Sequence, residues 1–72
     1  MIVRAKFFVE SKIERKEGFC IELFPVINGS KENENFYKYT PGGHLKLMTI
    51  NAEAAKEFIV GKEYYVDFTK CE

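Results

Sequence analysis

The stretch Ser30 to Gly43, SKENENFYKYTPGG, decides how this chain folds. It opens as a polar run, turns aromatic at Phe36, Tyr37 and Tyr39 around Lys38, and stops at Thr40-Pro41-Gly42-Gly43. Residues 28–35, NGSKENEN, hold no apolar side chain and read as the longest loop. FYKYT then reads as a short strand, because Phe and Tyr suit a pleated, half-buried surface. Pro41-Gly42-Gly43 supplies the φ values of a turn, and HLKLMTI returns as the partner strand. Within it Leu45, Leu47 and Thr49 alternate with His44, Lys46 and Met48. On this reading the stretch is a hairpin whose faces leave a choice open. If Phe36 is buried, Tyr37 and Tyr39 are exposed together; if the tyrosines are buried, Lys38 must snorkel or lie at the rim.

On the N-terminal side, residues 2–10 alternate: Val3, Ala5, Phe7 and Val9 form one face, and Arg4, Lys6, Phe8 and Glu10 the other. Period two predicts a strand with one buried face. Phe8 breaks the polar face, either as an exposed aromatic among charges or as a subunit contact. SKIERKEG reads as a charged connection ending in a turn at Glu17-Gly18, and FCIELFPV as the second strand. Pro25 lacks a ladder donor and belongs at an edge, a bulge or a strand end.

On the C-terminal side the period changes. Asn51 is a good N-cap and Gly61 a C-terminal stop, so a short helix is predicted at about 51–60, with Ala54, Ala55, Phe58 and Ile59 on one face. At two to three turns it needs tertiary support, and Phe58 should anchor it on the sheet. KEYYVDFTK closes the chain as a strand, with Tyr64, Val66 and Phe68 opposite Tyr65, Asp67 and Thr69. The expected architecture is α+β, mainly β: one domain over residues 1–72, in the order β-β-β-β-α-β. It is a curved five-stranded antiparallel sheet or small barrel with one covering helix. The helix position departs from the OB order, in which it follows the third strand.

Seventy-two residues make a small core, since chains this short bury only about 60% of the surface they expose when unfolded. Small domains add disulfides, a metal or self-association. The only cysteines are Cys20 and Cys71. The start MIVRAKFF has basic residues inside its apolar run and reads as a strand rather than a signal peptide, so reduced thiols and a cytoplasmic location are expected. Asn28-Gly29-Ser30 fits a glycosylation sequon but reads better as a turn. His44 is the one histidine and no C-x-x-C spacing occurs, which argues against a metal, and no cofactor is expected. Self-association as a homo-oligomer is left as the supplement to the core. No apolar run approaches the roughly 18 residues of a membrane span.

Eleven basic and eleven acidic side chains cancel. A protein that grips duplex nucleic acid through phosphates carries a basic excess, so duplex binding is not expected. A small anionic ligand needs only a few placed cations. Ser11, Ser30, Cys20, Cys71, His44 and Asp67 are tied together by no catalytic motif, and the chain does not read as an enzyme. His44, beside a glycine turn, reads as a solvated hairpin residue. TPGGHLKL is followed by strand patterning and so cannot seat phosphate on a helix N-terminus. The aromatic hairpin is what remains. Its rings offer a stacking surface, Lys38 a cation, and Asn33, Asn35 and Thr40 donors and acceptors for base edges. The competing reading is that Tyr and Phe are ordinary strand residues here.

From Pro25 to Thr69 the chain resembles a family of small phage proteins of about this length. The resemblance rests on PV, GSKENENFYKYTPGG, INAEAAKEF and GKEYYVDFT, in that order. Members show a strand pair, a Ser-x-x-Asn loop, a Phe-aromatic-Lys-x-Thr-Pro-x-Gly hairpin, a short Ala-rich helix and a Gly-Lys-x-Tyr-Tyr-Val-Asp-Phe strand. Gly42 stands where relatives often carry Ser or another small residue; residues 1–24 match only in strand pattern. The family is similar to the phage anti-CBASS sponges, small oligomers that sequester cyclic dinucleotides such as 3′3′-cGAMP without cleaving them. That resemblance implies a protein acting in the cytoplasm of an infected bacterium, with Asn33, Phe36, Tyr37, Lys38, Thr40 and Tyr65 as ligand contacts. Two other classes stay open: a phage accessory or structural protein that binds another protein through Phe8, Phe24 and the tyrosines, and a single-strand nucleic-acid binder.

Overall fold

A computed structural model describes residues 3–37 and 42–72. The elements are β1 (Val3–Arg15), β2 (Gly18–Pro25), α1 (Lys31–Tyr37), β3 (Leu45–Thr49), α2 (Ala52–Lys56) and β4 (Glu63–Phe68). The four strands form one antiparallel sheet in the order β3-β2-β1-β4, curled into a half-barrel and accompanied by the two short helices. The protein is mainly β within the α+β class.

The expected hairpin across residues 36–50 does not form as such. Residues 31–37 are helical, so Phe36 and Tyr37 close a helix instead of opening a strand, and β3 pairs with β2. Among the described residues the sheet has four strands where five were expected, in the order β-β-α-β-α-β. The Tyr37 side chain, Lys38, Tyr39, Thr40 and Pro41 lie outside the described residues.

Helix α1 forms because its N-terminus is capped. The Ser30 hydroxyl accepts from the Asn33 N–H at 3.2 Å, and the Ser30 carbonyl accepts from the Glu34 N–H at 3.0 Å. Glu32 and Glu34 then sit in the first turn, the positive end of the helix. These local terms, with the tertiary clip described below, outweigh the strand preference of Phe36-Tyr37.

β1 runs to Arg15, well past the expected end at residue 10, because a bulge intervenes. The register passes from Val9↔Leu23 to Ser11↔Glu22, leaving Glu10 without a partner. The alternation changes face there. Beyond the bulge Lys12 pairs with Ile21 on the core side of the sheet, which hides the strand from a period-two search. A two-residue turn at Lys16-Glu17 follows, and Gly18 opens β2.

The core joins Ala5, Phe7 and Val9 of β1 to Ile21 and Leu23 of β2, with Leu45, Phe58, Tyr64 and Val66 packed around them. Burying each of its large apolar side chains contributes about 1.5–3 kcal/mol. Pro25 ends β2 opposite Phe7, a strand end where its missing N–H is tolerated. Helix α2 starts as expected: the Asn51 side chain accepts from the N–H groups of Glu53 and Ala54. It ends at Lys56, sooner than residue 60, where two side chains make three hydrogen bonds to its end and the residues just beyond. Lys12 Nζ donates to the Ala55 carbonyl at 3.2 Å, and the Tyr64 hydroxyl donates to the Glu57 carbonyl at 2.6 Å while accepting from the Ile59 N–H at 2.9 Å. The Phe58 ring packs against Tyr64 with centroids 5.6 Å apart, the anchorage expected of it. Among the described residues no helix is long and apolar enough to cross a membrane.

Candidate ligand-binding face

Antiparallel pairing of β1 with β4 brings Lys6 opposite Tyr65 and Arg4 opposite Asp67. Their side chains share the sheet face that points away from the core. Tyr65 is 52% exposed. The Arg4 guanidinium lies over its ring, 4.7 Å from the centroid, and Lys6 Nζ lies at 5.3 Å. Both are within cation–π range. One exposed aromatic ring thus carries two cations on one side of the sheet, a surface suited to a flat anion.

The cations are balanced by acids. Arg4 makes a two-pronged pair with Asp67, Nε to Oδ1 at 2.6 Å and Nη2 to Oδ2 at 3.0 Å, and Lys6 Nζ stands 3.8 Å from Glu63. The Arg4 hydrogen bond holds the Asp67 carboxyl below its usual range, and the same pair keeps Arg4 more firmly protonated. Glu32 is also held below its usual range, first by a hydrogen bond from its own backbone N–H and next by the Ser30 hydroxyl, with smaller contributions from Lys6 and Arg4. Lys6, Glu63, Tyr64 and Tyr65 line a shallow depression of about 170 Å³. Pockets for drug-sized ligands run to roughly 300–1,000 Å³, so this hollow admits a ring or a phosphate but not a whole dinucleotide.

Of the described residues singled out in the sequence, Tyr65 is the one placed on this face with cations beside it. Asn33 has a different part. It is 2% exposed, and its carboxamide accepts from the Lys6 N–H at 2.6 Å and donates to the carbonyls of Lys6 and Val26, each at 2.7 Å. Both donor hydrogens and the oxygen are spent on the backbone. The Ser-x-x-Asn motif thus reads as a helix cap followed by a clip onto the sheet. Phe36 is 49% exposed near the end of α1. Arg4 and Lys6 were not singled out from the sequence. The alternation of β1 puts both on its polar face, and pairing β1 with β4 is the step that would have found them.

A second cluster lies farther along the same sheet face. The Phe24 ring stacks on His44 with centroids 4.7 Å apart and planes 16° from parallel, and Phe8 tilts against Phe24 at 6.5 Å. Phe8 is thereby half-buried within its own chain. His44 Nε2 is 2.8 Å from Glu22 Oε2, and the Ser11 hydroxyl reaches Glu22 Oε1 at 3.5 Å. His44 is thus a partnered residue rather than a merely solvated one. The carboxylate sits between the serine and the imidazole, so this chain of contacts is not the one that lets a histidine take a proton from serine. Phe8, Glu10, Phe24, Pro25, Ile27 and the Gly42-Gly43 backbone line a groove of about 330 Å³ beside it.

Cys20 is buried, Cys71 exposed, and both are free. Among the described residues no group of three or more His, Cys, Asp or Glu side chains is placed to hold a metal ion. Searches of family models, curated proteins and solved structures find nothing that matches this chain.

Proposed function

We propose that this is a small phage binding protein that sequesters a cyclic dinucleotide immune signal, such as 3′3′-cGAMP, without cleaving it. The observation that carries the reading is Tyr65 exposed beneath Arg4 with Lys6 beside it. A stacked base gains roughly 1–3 kcal/mol on such a ring, and a phosphate next to the base would meet the two cations. The resemblance of residues 25–69 to the phage family supplies the ligand class and the host cytoplasm as the place of action. A cyclic dinucleotide presents two bases and two phosphates related by approximate two-fold symmetry. The hollow beside Tyr65 suits half of it, so two subunits would share one ligand, each giving a ring and its cations. A chain of zero net charge can do this, although it cannot coat a duplex.

Calorimetry with 3′3′-cGAMP tests the reading, followed by heat release and chromatography of the ligand. Binding with intact ligand recovered is the expected result. No heat at tens of micromolar protein sinks the proposal, and cleaved ligand sinks its non-catalytic part. A second reading, an accessory protein that binds another protein, draws on the Phe8–Phe24 groove and the exposed Ile27 beside it. A single-strand binder is separated from both by a steep fall of affinity with salt.

A further inference from the structure

The described sheet ends in two unpaired edges, β3 and β4, and they differ in chemistry. On its outward face β4 presents Glu63, Tyr65 and Asp67. If β4 paired with itself about Tyr65, Glu63 would face Asp67 of a second copy, acid against acid. β3, with the sequence LKLMT, is apolar but for Lys46 and Thr49. Leu47 is 41% exposed, Met48 71%, and Ile50 just beyond it 85%. Ile13, Cys20 and Met48 form one cross-strand row, so apolar surface continues inward from the edge. An exposed apolar edge strand is a template for another strand.

We propose that β3 is the seat of a two-fold dimer in which it pairs antiparallel with β3 of a second copy, centred on Leu47. The occupant follows from self-complementarity. In this register the Leu47 side chains meet at the axis on the core face, next to Ile21, and Leu45 faces Thr49. Lys46 faces Met48, so no ammonium meets its own symmetry mate. Registers centred one residue away on either side place Lys46 against Lys46 or leave Met48 against itself with Lys46 beyond the strand end. The molecule also needs the contact. It is a slab 39 × 32 × 16 Å, little more than one sheet with partial cover, and among the described residues its core cluster has five buried members. Dimerisation joins two four-stranded half-barrels into one eight-stranded sheet and satisfies the edge peptides. The inference goes beyond the ligand reading and is scored without ligand: this dimer leaves β4, with Tyr65, at the far edge of each subunit, so a ligand shared between two Tyr65 rings needs a second, different contact.

Light scattering and sedimentation of the full chain test it. The wild-type protein is expected to be a dimer at micromolar concentration. Met48→Lys sets like charges opposite each other twice and should weaken the dimer by roughly tenfold. Met48→Glu sets a carboxylate against the partner subunit's Lys46 and should keep or strengthen it. Met48 is exposed in the monomer, so circular dichroism should show both variants folded. Leu47→Cys, with Cys20→Ala and Cys71→Ala, should cross-link across the axis under mild oxidation, independently of any charge effect. A monomeric wild type, equal behaviour of the two Met48 variants, or no cross-link overturns the proposal.

Discussion

The Asn33 carboxamide exchanges two hydrogen bonds with the Lys6 peptide, as one residue of a β-ladder does with its partner. The β1–β2 register, continued one step past Phe7↔Pro25, would pair Lys6 with Val26. Only one half of that pair closes directly, Val26 N–H to the Lys6 carbonyl at 3.0 Å. The other half runs through Asn33, which accepts from the Lys6 N–H and donates to the Val26 carbonyl. A side chain in α1 thus completes the ladder where the backbone leaves it, and this pins the helix to β1. Removing it leaves a part-buried N–H and a part-buried carbonyl unpaired, at about 1–2 kcal/mol each.

Asn33→Ala should therefore lower stability by roughly 2–4 kcal/mol, read as a drop in urea midpoint with unchanged slope. Ser30→Ala should cost less, about 1 kcal/mol, as the loss of a helix cap. A loss at Asn33 no larger than the loss at Ser30 would mean that water replaces the clip, and the ladder account would then be wrong.

Gly18 makes a second fixed point. Its φ is +135°, and a Cβ there would lie 2.6 Å from the Thr49 carbonyl oxygen. The obstacle is backbone of the paired strand, so it cannot swing aside. Gly18→Ala should destabilise the protein by at least about 1–3 kcal/mol and loosen the Phe19↔Thr49 end of the β2–β3 ladder. Amide exchange should rise first at that end. Even exchange across β3, or an unchanged midpoint, would show that the turn can relax.

Much of this fold was legible in the sequence. The alternation of residues 3–9 names the buried face of β1, Asn51 marks the start of α2, and Tyr64 and Val66 share one face of β4 opposite Tyr65 and Asp67, as read. What was hidden depends on partners distant in the chain. Polar residues 30–35 look like loop because the group that makes them a helix, Lys6, is 27 positions from Asn33. The bulge at Glu10 moves Lys12 onto the core side, where its ammonium finds the Ala55 carbonyl. The candidate site was legible only at Tyr65. Arg4 reaches it through a strand pairing that spans most of the chain, and no local pattern reports such a pairing.

The Arg4–Asp67 pair has an acid signature. Its hydrogen bonds depress the Asp67 carboxyl in the folded protein, whereas an unfolded aspartate titrates near about 3.9. A depressed carboxyl stabilises the fold above that value and loses its contribution as pH falls through the folded value. Glu32, lowered by its own backbone N–H and the Ser30 hydroxyl, contributes in the same direction. Both are exposed, so the effect is small and confined to the acid side, below about pH 4. Arg4→Ala should raise the Asp67 titration midpoint measured by carboxyl carbon NMR, and leave Glu32 nearly in place. Coincident Asp67 curves in the two proteins would show that the pair does not persist in solution.

The same pair sets the terms for ligand. Asp67 competes with any phosphate for Arg4, since both offer oxygens to the same guanidinium fork. Asp67→Asn removes the competitor's charge but keeps the side chain's shape. It should tighten cyclic-dinucleotide binding by roughly threefold to tenfold and make it more salt-sensitive, because a freed cation then meets the phosphate. Lys6→Ala should act in the opposite direction. Tyr65→Ala should weaken binding by about tenfold to a hundredfold through the lost stacking face, while Tyr65→Phe keeps most of the affinity. These variants lie on an exposed sheet face, so thermal unfolding should confirm intact folding before titration. If the wild type binds but Asp67→Asn, Lys6→Ala and Tyr65→Ala all bind as it does, the ligand sits elsewhere. Phe36 and the Phe8–Phe24 groove are then the surfaces to probe.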